Sequence, residues 1–549
     1  MVAARRQLGP AMAVLALAAT PACHRGGDGG SPGTGDGGTA TASSGTGATT
    51  GSTDAALSVA LVRRLDLDDG HAFDVVAARS DGAVLDPAAV TVTSDRGTVD
   101  PAVAVDGGAV RVTIHPDATV TGPYRVRVTA DLPSGPATAE VTAAVFRTLD
   151  ERWDQPVLVG RGLDTSGWDD SPAVSPDGRW MVVHAIGLRH ECFFLPPDEQ
   201  ASTHPACQTQ RGMFEGGRPA FPGDGRVDPV TGAIDHRCPA STPLQAPDQI
   251  PWLAWISALY VGERQPDGTY GDVRLLGYVR EGTMGTYGDG CQVPTSVQLV
   301  ERPDGTVDAD GIYRGTYDVV FAMDLWLDAG VPKWPYVPGE NCPNTDTSVD
   351  VYVAEDVDLE ADLPVEFGRV EGDAEGCIAW TSTRARRVGG FDADGPESNP
   401  QIFTYGGTTF LLYDTEGTSP EHLHLRRLSP GGSPSEGPWG PDETLPLPDP
   451  DGRTIPFFDT TEGVLYSMQG SAIVANAALA ADLSAFGPTE VVASVDPDAA
   501  ADRAGAFFVV GEPMLARGAD GRRMLTGSVG TVVGPERLDL GPFVVPARP

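Results

Sequence analysis

One stretch constrains this chain more than any other: Ser171–Trp180, SPAVSPDGRW, followed by the apolar run MVVHA. Pro176 presets φ for the turn and Gly178 takes the position that needs φ > 0, so the stretch predicts two strands joined by a tight turn. Related units recur downstream. Five inner strands are led by Pro172, Pro294, Pro400, Pro456 and Pro513, each followed by a turn glycine. The apolar second strands read WMVVHAI, YDVVFAMDL, TFLLYDT, VLYSM and MLTGSVG. Third strands read ALYVGER, VDVYVAE, HLHLRRL and AIVANA, with PFVVPAR in the last unit.

A second periodic element supports the first. Outer strands open on an aromatic or apolar residue at Trp153, Tyr270, Leu363, Trp439 and Phe486. The steps from Pro400 to Pro456 and from Pro456 to Pro513 fit one four-stranded unit each, whereas the two earlier steps are about twice as long. An outer strand at Trp153 precedes the first inner strand, and none follows the unit from Pro513. The chain from residue 153 therefore completes the last unit and closes a ring, which removes exposed sheet edges. Regular helical spacing is nearly absent beyond the first twenty residues, so the fold class is all-β.

Pro172, Ser175, Pro176, Asp177, Gly178 and Trp180 carry a resemblance to the β-propellers built from TolB-type, WD-like repeats. It implies a propeller over residues 148–549, with five blades favoured and six or seven possible. Upstream, strands at intervals of about 10 to 15 residues run from Ala55 to Phe146. The run TVTSDRGTVD…GGAVRVTIHPDATVTGPYRVRVTA resembles an invasin-type bacterial immunoglobulin-like (Ig-like) domain, which implies a β-sandwich over 54–147 and says nothing of ligand.

Residues 1–22 read as a signal peptide, with Arg5 and Arg6 before the short apolar run Ala11–Ala19. It ends in TPAC, resembling the bacterial lipoprotein signal with Cys23 as the lipidated residue, although Thr20 stands where Leu is usual. Ordinary cleavage and secretion is the alternative. Residues 23–53 are a Gly/Ser/Thr tether with no apolar side chain larger than alanine. His24 rather than Asp after Cys23 points to the outer membrane, facing the periplasm or the surface, with lipid the membrane's only hold.

Seven cysteines less Cys23 leave Cys192, Cys207, Cys238, Cys291, Cys342 and Cys377, an even number that suggests disulfides in an exported protein. Proximity suggests Cys192–Cys207, Cys342–Cys377 and Cys238–Cys291. Most of these cysteines fall in insertions at 188–250 and 328–347. His190, His204 and His236 stand beside cysteines and are weak zinc candidates, behind disulfides. His422 and His424 share a strand face, read as solvated. Calcium is possible at the turns from Asp308 and Asp392, which lack the rest of an EF-hand.

A net charge of −38 argues against nucleic acid or anionic lipid as partner. The part of the chain expected to fold has no G-x-S-x-G elbow, H-E-x-x-H, phosphate loop or dinucleotide fingerprint. Acidic residues near the starts of inner strands, namely Asp169, Asp170, Glu397 and Glu512, are weak catalytic candidates. Five-bladed propellers host glycoside hydrolases, which need a proton donor and a base or nucleophile. The alternative is that these carboxylates bond neighbouring blades. The favoured expectation is a monomeric, non-catalytic binding platform for protein or glycan at the envelope. Behind it stand a glycoside hydrolase-like enzyme and a purely structural component.

Overall fold

A computed structural model describes residues 57–549 apart from 187–256, 282–290, 325–348 and 389–396, and apart from shorter gaps at 68–70, 118–120, 160–162, 164–167, 266–269, 293–294, 310, 373–377, 416–420, 501–502, 519–520, 535–536 and 549. The signal peptide, the tether with Cys23, Pro294, His190, His204, His236, Asp392 and every other cysteine but Cys291 lie outside the described residues. Cys291 is described in its backbone alone, which pairs with Arg280.

The fold is all-β and propeller-like. Five mainly antiparallel sheets can be traced side by side, the first and fifth joined by a parallel pair at Trp168 and Leu540, and their first strands are Trp168–Val174, Thr295–Glu301, Glu397–Tyr405, Arg453–Asp459 and Phe507–Arg517. Portions of all five line one central opening. The second strands, Trp180–Ile186, Tyr317–Asp324, Thr408–Thr415, Val464–Gln469 and Arg523–Gly534, pair with the first in order. They are the most apolar segments because both faces are covered. Phe321, Leu411, Leu465 and Leu525 are wholly buried, in clusters that join neighbouring sheets.

The Pro-Asp-Gly turn ties the first sheet to both neighbours. Ser175 Oγ donates to Asp177 Oδ1 at 2.6 Å, and Trp180 N donates to Ser175 Oγ at 2.9 Å. The other oxygen of Asp177 accepts from Tyr313 N at 3.0 Å, in the hairpin below the second sheet. Gly178, at φ 69°, lies against the carbonyl of Arg517 in the fifth sheet, where any Cβ would collide.

The outer strand expected at Leu363 is a correction. Val365–Gly372 pairs in parallel with Tyr270–Glu281 and so extends the first sheet, and the fourth strand of the second sheet is Ala385–Arg387. A turn at Asp358–Asp362 carries the chain across, and the Arg274 guanidinium holds it by donating to the carbonyls of Leu359 at 2.7 Å and Glu360 at 3.1 Å. This neighbour is invisible in a local pattern.

The N-terminal strands form two facing layers around a core of Phe73, Val75, Val112, Ile114, Tyr124, Val126 and Val128. One layer holds Leu57–Arg63, Phe73–Arg79 and Val110–His115; the other holds Val90–Ser94, Gly122–Leu132 and Gly135–Val145. The second layer does not end there. Val157–Leu158 pairs with Ala143 on one side and with Phe543 and Val544 of the fifth sheet on the other.

Glu301, at the far end of the second inner strand, is pushed up to about 7 by burial and then by the Asp177 carboxylate. The folded state therefore holds this proton more tightly than the unfolded chain, whose glutamate titrates near 4.5. The stability it contributes is complete below pH about 4.5 and is lost as pH rises through about 7. We expect Glu301→Gln to flatten that part of the Tm-against-pH profile, raising Tm at pH 8 relative to pH 5. An unchanged slope contradicts the assignment.

Candidate functional site at the central opening

The five inner strands share one departure from regular pairing. Ser171, Ser296, Asn399, Ile455 and Glu512 all lie at φ between 49° and 57°, and the register slips at each. Asparagine tolerates this left-handed conformation; a β-branched isoleucine there is an outlier. Such residues cost about 1 to 3 kcal/mol each and persist where their surroundings over-determine them. In four of the five units the next residue is proline, so the repeated proline marks the bulge. In the second unit Val297 takes that place, which moves the repeat from the expected Pro294.

All five residues line the opening, with Gln298, Gln401, Phe457 and Met514 below them. The space between them, about 380 Å³ free of atoms, includes open solvent, and its enclosed part has room only on the scale of water molecules. Side chains bond across the sheets to fix the bulges. Glu512 Oε2 accepts from Ser171 N at 3.0 Å, linking the fifth sheet to the first, and also accepts from Ser528 Oγ. Asp414 Oδ2 accepts from Ile455 N at 2.6 Å and from Asn399 Nδ2 at 2.9 Å, while Oδ1 accepts from Ser398 Oγ. Gln298 clamps the backbone of Ile402, and Gln401 clamps that of Phe458, each amide both donating and accepting. Ser296 Oγ donates to Asn399 Oδ1 at 2.7 Å.

The four acidic candidates all fall at this end of the inner strands. Asp169 and Asp170 immediately precede Ser171, and Glu397 opens its strand two residues before Asn399, 5% exposed. Glu512 is the bulge residue itself, well inside a strand that begins at Phe507. Asp414 is the residue the repeat pattern does not single out. It is wholly buried and pairs with Ser398, as His184 pairs with Asp170 and Ser528 with Gly511. Aligning the second strands on that register would have exposed it as an acid ending an apolar run.

Glu421 stands close by. Its carbonyl accepts from Gly452 N at 3.1 Å, beside the start of the fourth inner strand. Burial and then the Asp414 carboxylate push Glu421 up to about 7. Burial also pushes Asp414 upward, against the three donors that favour its charged form. A carboxyl group pushed up to about 7 thus stands beside Asp414, whose bonds fix two of the residues that line the opening.

His424 is not on a solvated face. Its Nδ1 lies 2.8 Å from Asp442 Oδ2, and its ring stacks on Tyr413, whose hydroxyl donates to Asp442 Oδ1 at 2.7 Å. His422 Nδ1 lies 3.9 Å from Asp451. Both oxygens of Asp308 are engaged, accepting from Ile312 N and from Arg314 Nε at 3.0 Å each. Among the described residues, no group of three or more His, Cys, Asp or Glu side chains is arranged to hold a metal. Among them, too, no helix is long and apolar enough to cross a membrane.

No protein-family model and no curated protein matches the chain. Solved structures share it at low similarity. A xylan β-1,4-xylosidase from Bacillus halodurans C-125 superposes with a TM-score of 0.26 at 11% identity, covering 78% of this chain. The chain spans about half of that protein, 53% of its length. A family 117 glycoside hydrolase from the marine bacterium Zobellia galactanivorans gives 0.31 at 11% identity, with 71% of this chain and 89% of that one covered. A subtype N11 neuraminidase-like protein of A/flat-faced bat/Peru/033/2010 (H18N11) gives 0.31 at 8% identity, with 74% of this chain and 93% of that one covered. At these TM-scores the chain's chemistry is read from its own residues.

Asp414→Asn keeps the shape of the junction, its oxygen facing Ile455 N and its amide facing Ser398, and removes the charge. The titration of Glu421, followed by carboxyl carbon NMR, should then move down from about 7 without reaching its ordinary 4.5, because burial remains. Asp414→Ala also leaves the Ile455 N–H without an acceptor and should cost about 3 kcal/mol in denaturant unfolding.

Proposed function

We propose that the protein acts on carbohydrate at the rim of its central opening, as a glycoside hydrolase-like enzyme. The observation that carries this is Glu421, half-buried and pushed up to about 7 by burial and then by Asp414, the acid that fixes two of the residues lining the opening. Hydrolysis of a glycosidic bond needs an acid that stays protonated near neutrality, and a second carboxylate as base or nucleophile. In this reading Glu421 is the donor, and Glu397, Asp169 and Asp170 are the candidates for the second role. Supporting it is the position of Asp169, Asp170 and Glu397 in the chain beside the bulges of the first and third inner strands, on a scaffold fixed by cross-sheet bonds. The reading takes the five sheets as five blades of a propeller and the N-terminal layers as an Ig-like sandwich. It takes the whole as carried outside the cell by lipid on Cys23.

A second reading is a glycan- or protein-binding platform without turnover. One observation favours it: one oxygen of Asp414 and one of Glu512 each bond the backbone of a neighbouring sheet, and each acid also bonds a serine of its own sheet. A panel of plant and microbial polysaccharides, assayed for new reducing ends, separates the two. The enzyme reading expects turnover that Glu421→Gln lowers by about 10² to 10⁴-fold, and that Glu397→Gln or Asp170→Asn also lowers. Unchanged turnover in Glu421→Gln removes it as the acid. Glycan retention with no turnover by the parent protein leaves the binding platform.

A further inference from the structure

We infer that the N-terminal layers, with residues 146–159, are a clasp that holds the ring shut rather than a bead tethered beside it. Two adjacent short stretches of one segment are built into two different sheets of the ring. Thr148 and Leu149 pair with Ser494 and Ala493 of the fourth sheet, with backbone bonds from Arg147 N to Ser494 O at 2.9 Å and from Asp150 N to Val492 O at 2.8 Å. Val157 and Leu158 then pair with the last strand of the fifth sheet. Asp154 N donates to Pro546 O and Val159 N to Pro542 O, both at 2.9 Å, and Trp153 bridges to Ala547. The chain's first strands and its last strand are therefore stitched together by residues that follow the sandwich directly.

The sandwich grips the same segment from the other side. Ala144 N donates to Pro156 O at 2.9 Å, and the buried amide of Gln155 donates to Ala144 O at 2.7 Å. Buried Asp154 accepts from Arg63 N at 2.6 Å, and Arg63 Nη1 donates to Asp150 O at 3.0 Å. Phe146 packs edge-on against Phe543 at 5.2 Å and tilted against Phe507 at 5.7 Å. At a separate point Arg96 Nη1 donates to Gly505 O at 2.7 Å, and Phe507 N donates to Thr121 O at 3.3 Å. Removing the segment would expose the edge of the fifth sheet from Pro542 to Pro546, and removing the sandwich would strip the segment of half its partners.

The full chain with a protease site inserted at residues 164–167 tests this. After cleavage, the N-terminal fragment should stay with the ring through size exclusion at micromolar concentration, and calorimetry of the uncut chain should show one transition. Phe146→Ala should leave the uncut chain folded and release the fragment after cleavage. A parent fragment that separates on cutting overturns the inference. So do separate transitions for sandwich and ring in the uncut chain.

Discussion

Side chains reaching from one sheet to the backbone of the next are the interaction on which the structure depends. Each inner strand is bent by a residue at positive φ, and that geometry is unfavourable for Ile455 and Glu512 in isolation. Asp414 accepting from Ile455 N, and Glu512 accepting from Ser171 N, make it the best-bonded choice for the chain. Gln298 and Gln401 do equivalent service one step deeper. The strands consequently turn their bulges towards one space, and Glu512 is among the residues that line it. Chemistry and scaffold are coupled there, since the same carboxylates that fix the sheets raise the proton affinity of their neighbours.

Burial, with that coupling second, raises two groups to about 7: Glu301 at the turn end of the second inner strand and Glu421 just before the strand Leu423–Ser433. Glu301 lies beside Asp177, the acid of the Pro-Asp-Gly turn, and Glu421 lies beside Asp414. In both cases burial comes first and the neighbouring carboxylate second in raising the acid, and for Glu301 they outweigh a hydrogen bond from the Asp177 backbone. Glu301 sits at the turn end, away from the opening. Glu421 lies beside Asp414, which bonds Asn399 and Ile455 at the opening, and the functional proposal rests on that residue.

Ring architectures must join their ends, and here the joint is made by the connection between two lobes. Residues 148–158 belong to the fourth and fifth sheets by hydrogen bonding and to the sandwich by packing. An expectation of a spacer that merely presents the ring treats the lobes as independent. The shared aromatic contacts of Phe146 and the buried Asp154 tie them instead.

The sequence by itself determined the strand order of nearly every unit. Turn chemistry at Pro176–Gly178 and apolar alternation are local properties, so the second and third strands and four of the five first strands fell where the repeats placed them, and Trp153 was legible as a partner of the chain's end. The acids Asp169, Asp170, Glu397 and Glu512 were legible as a set because they sit near a repeated proline. Tertiary structure alone decided what depends on neighbours distant in sequence. The strand from Val365 joins the first sheet because its partner is Gly277–Glu281, a choice no local pattern encodes. Asp414 matters because Ile455 N lies across a sheet junction, and Glu421 is poised because Asp414 is buried beside it. Hydrogen bonds between sheets and the burial of charge are set by packing, and packing is where sequence periodicity stops being informative.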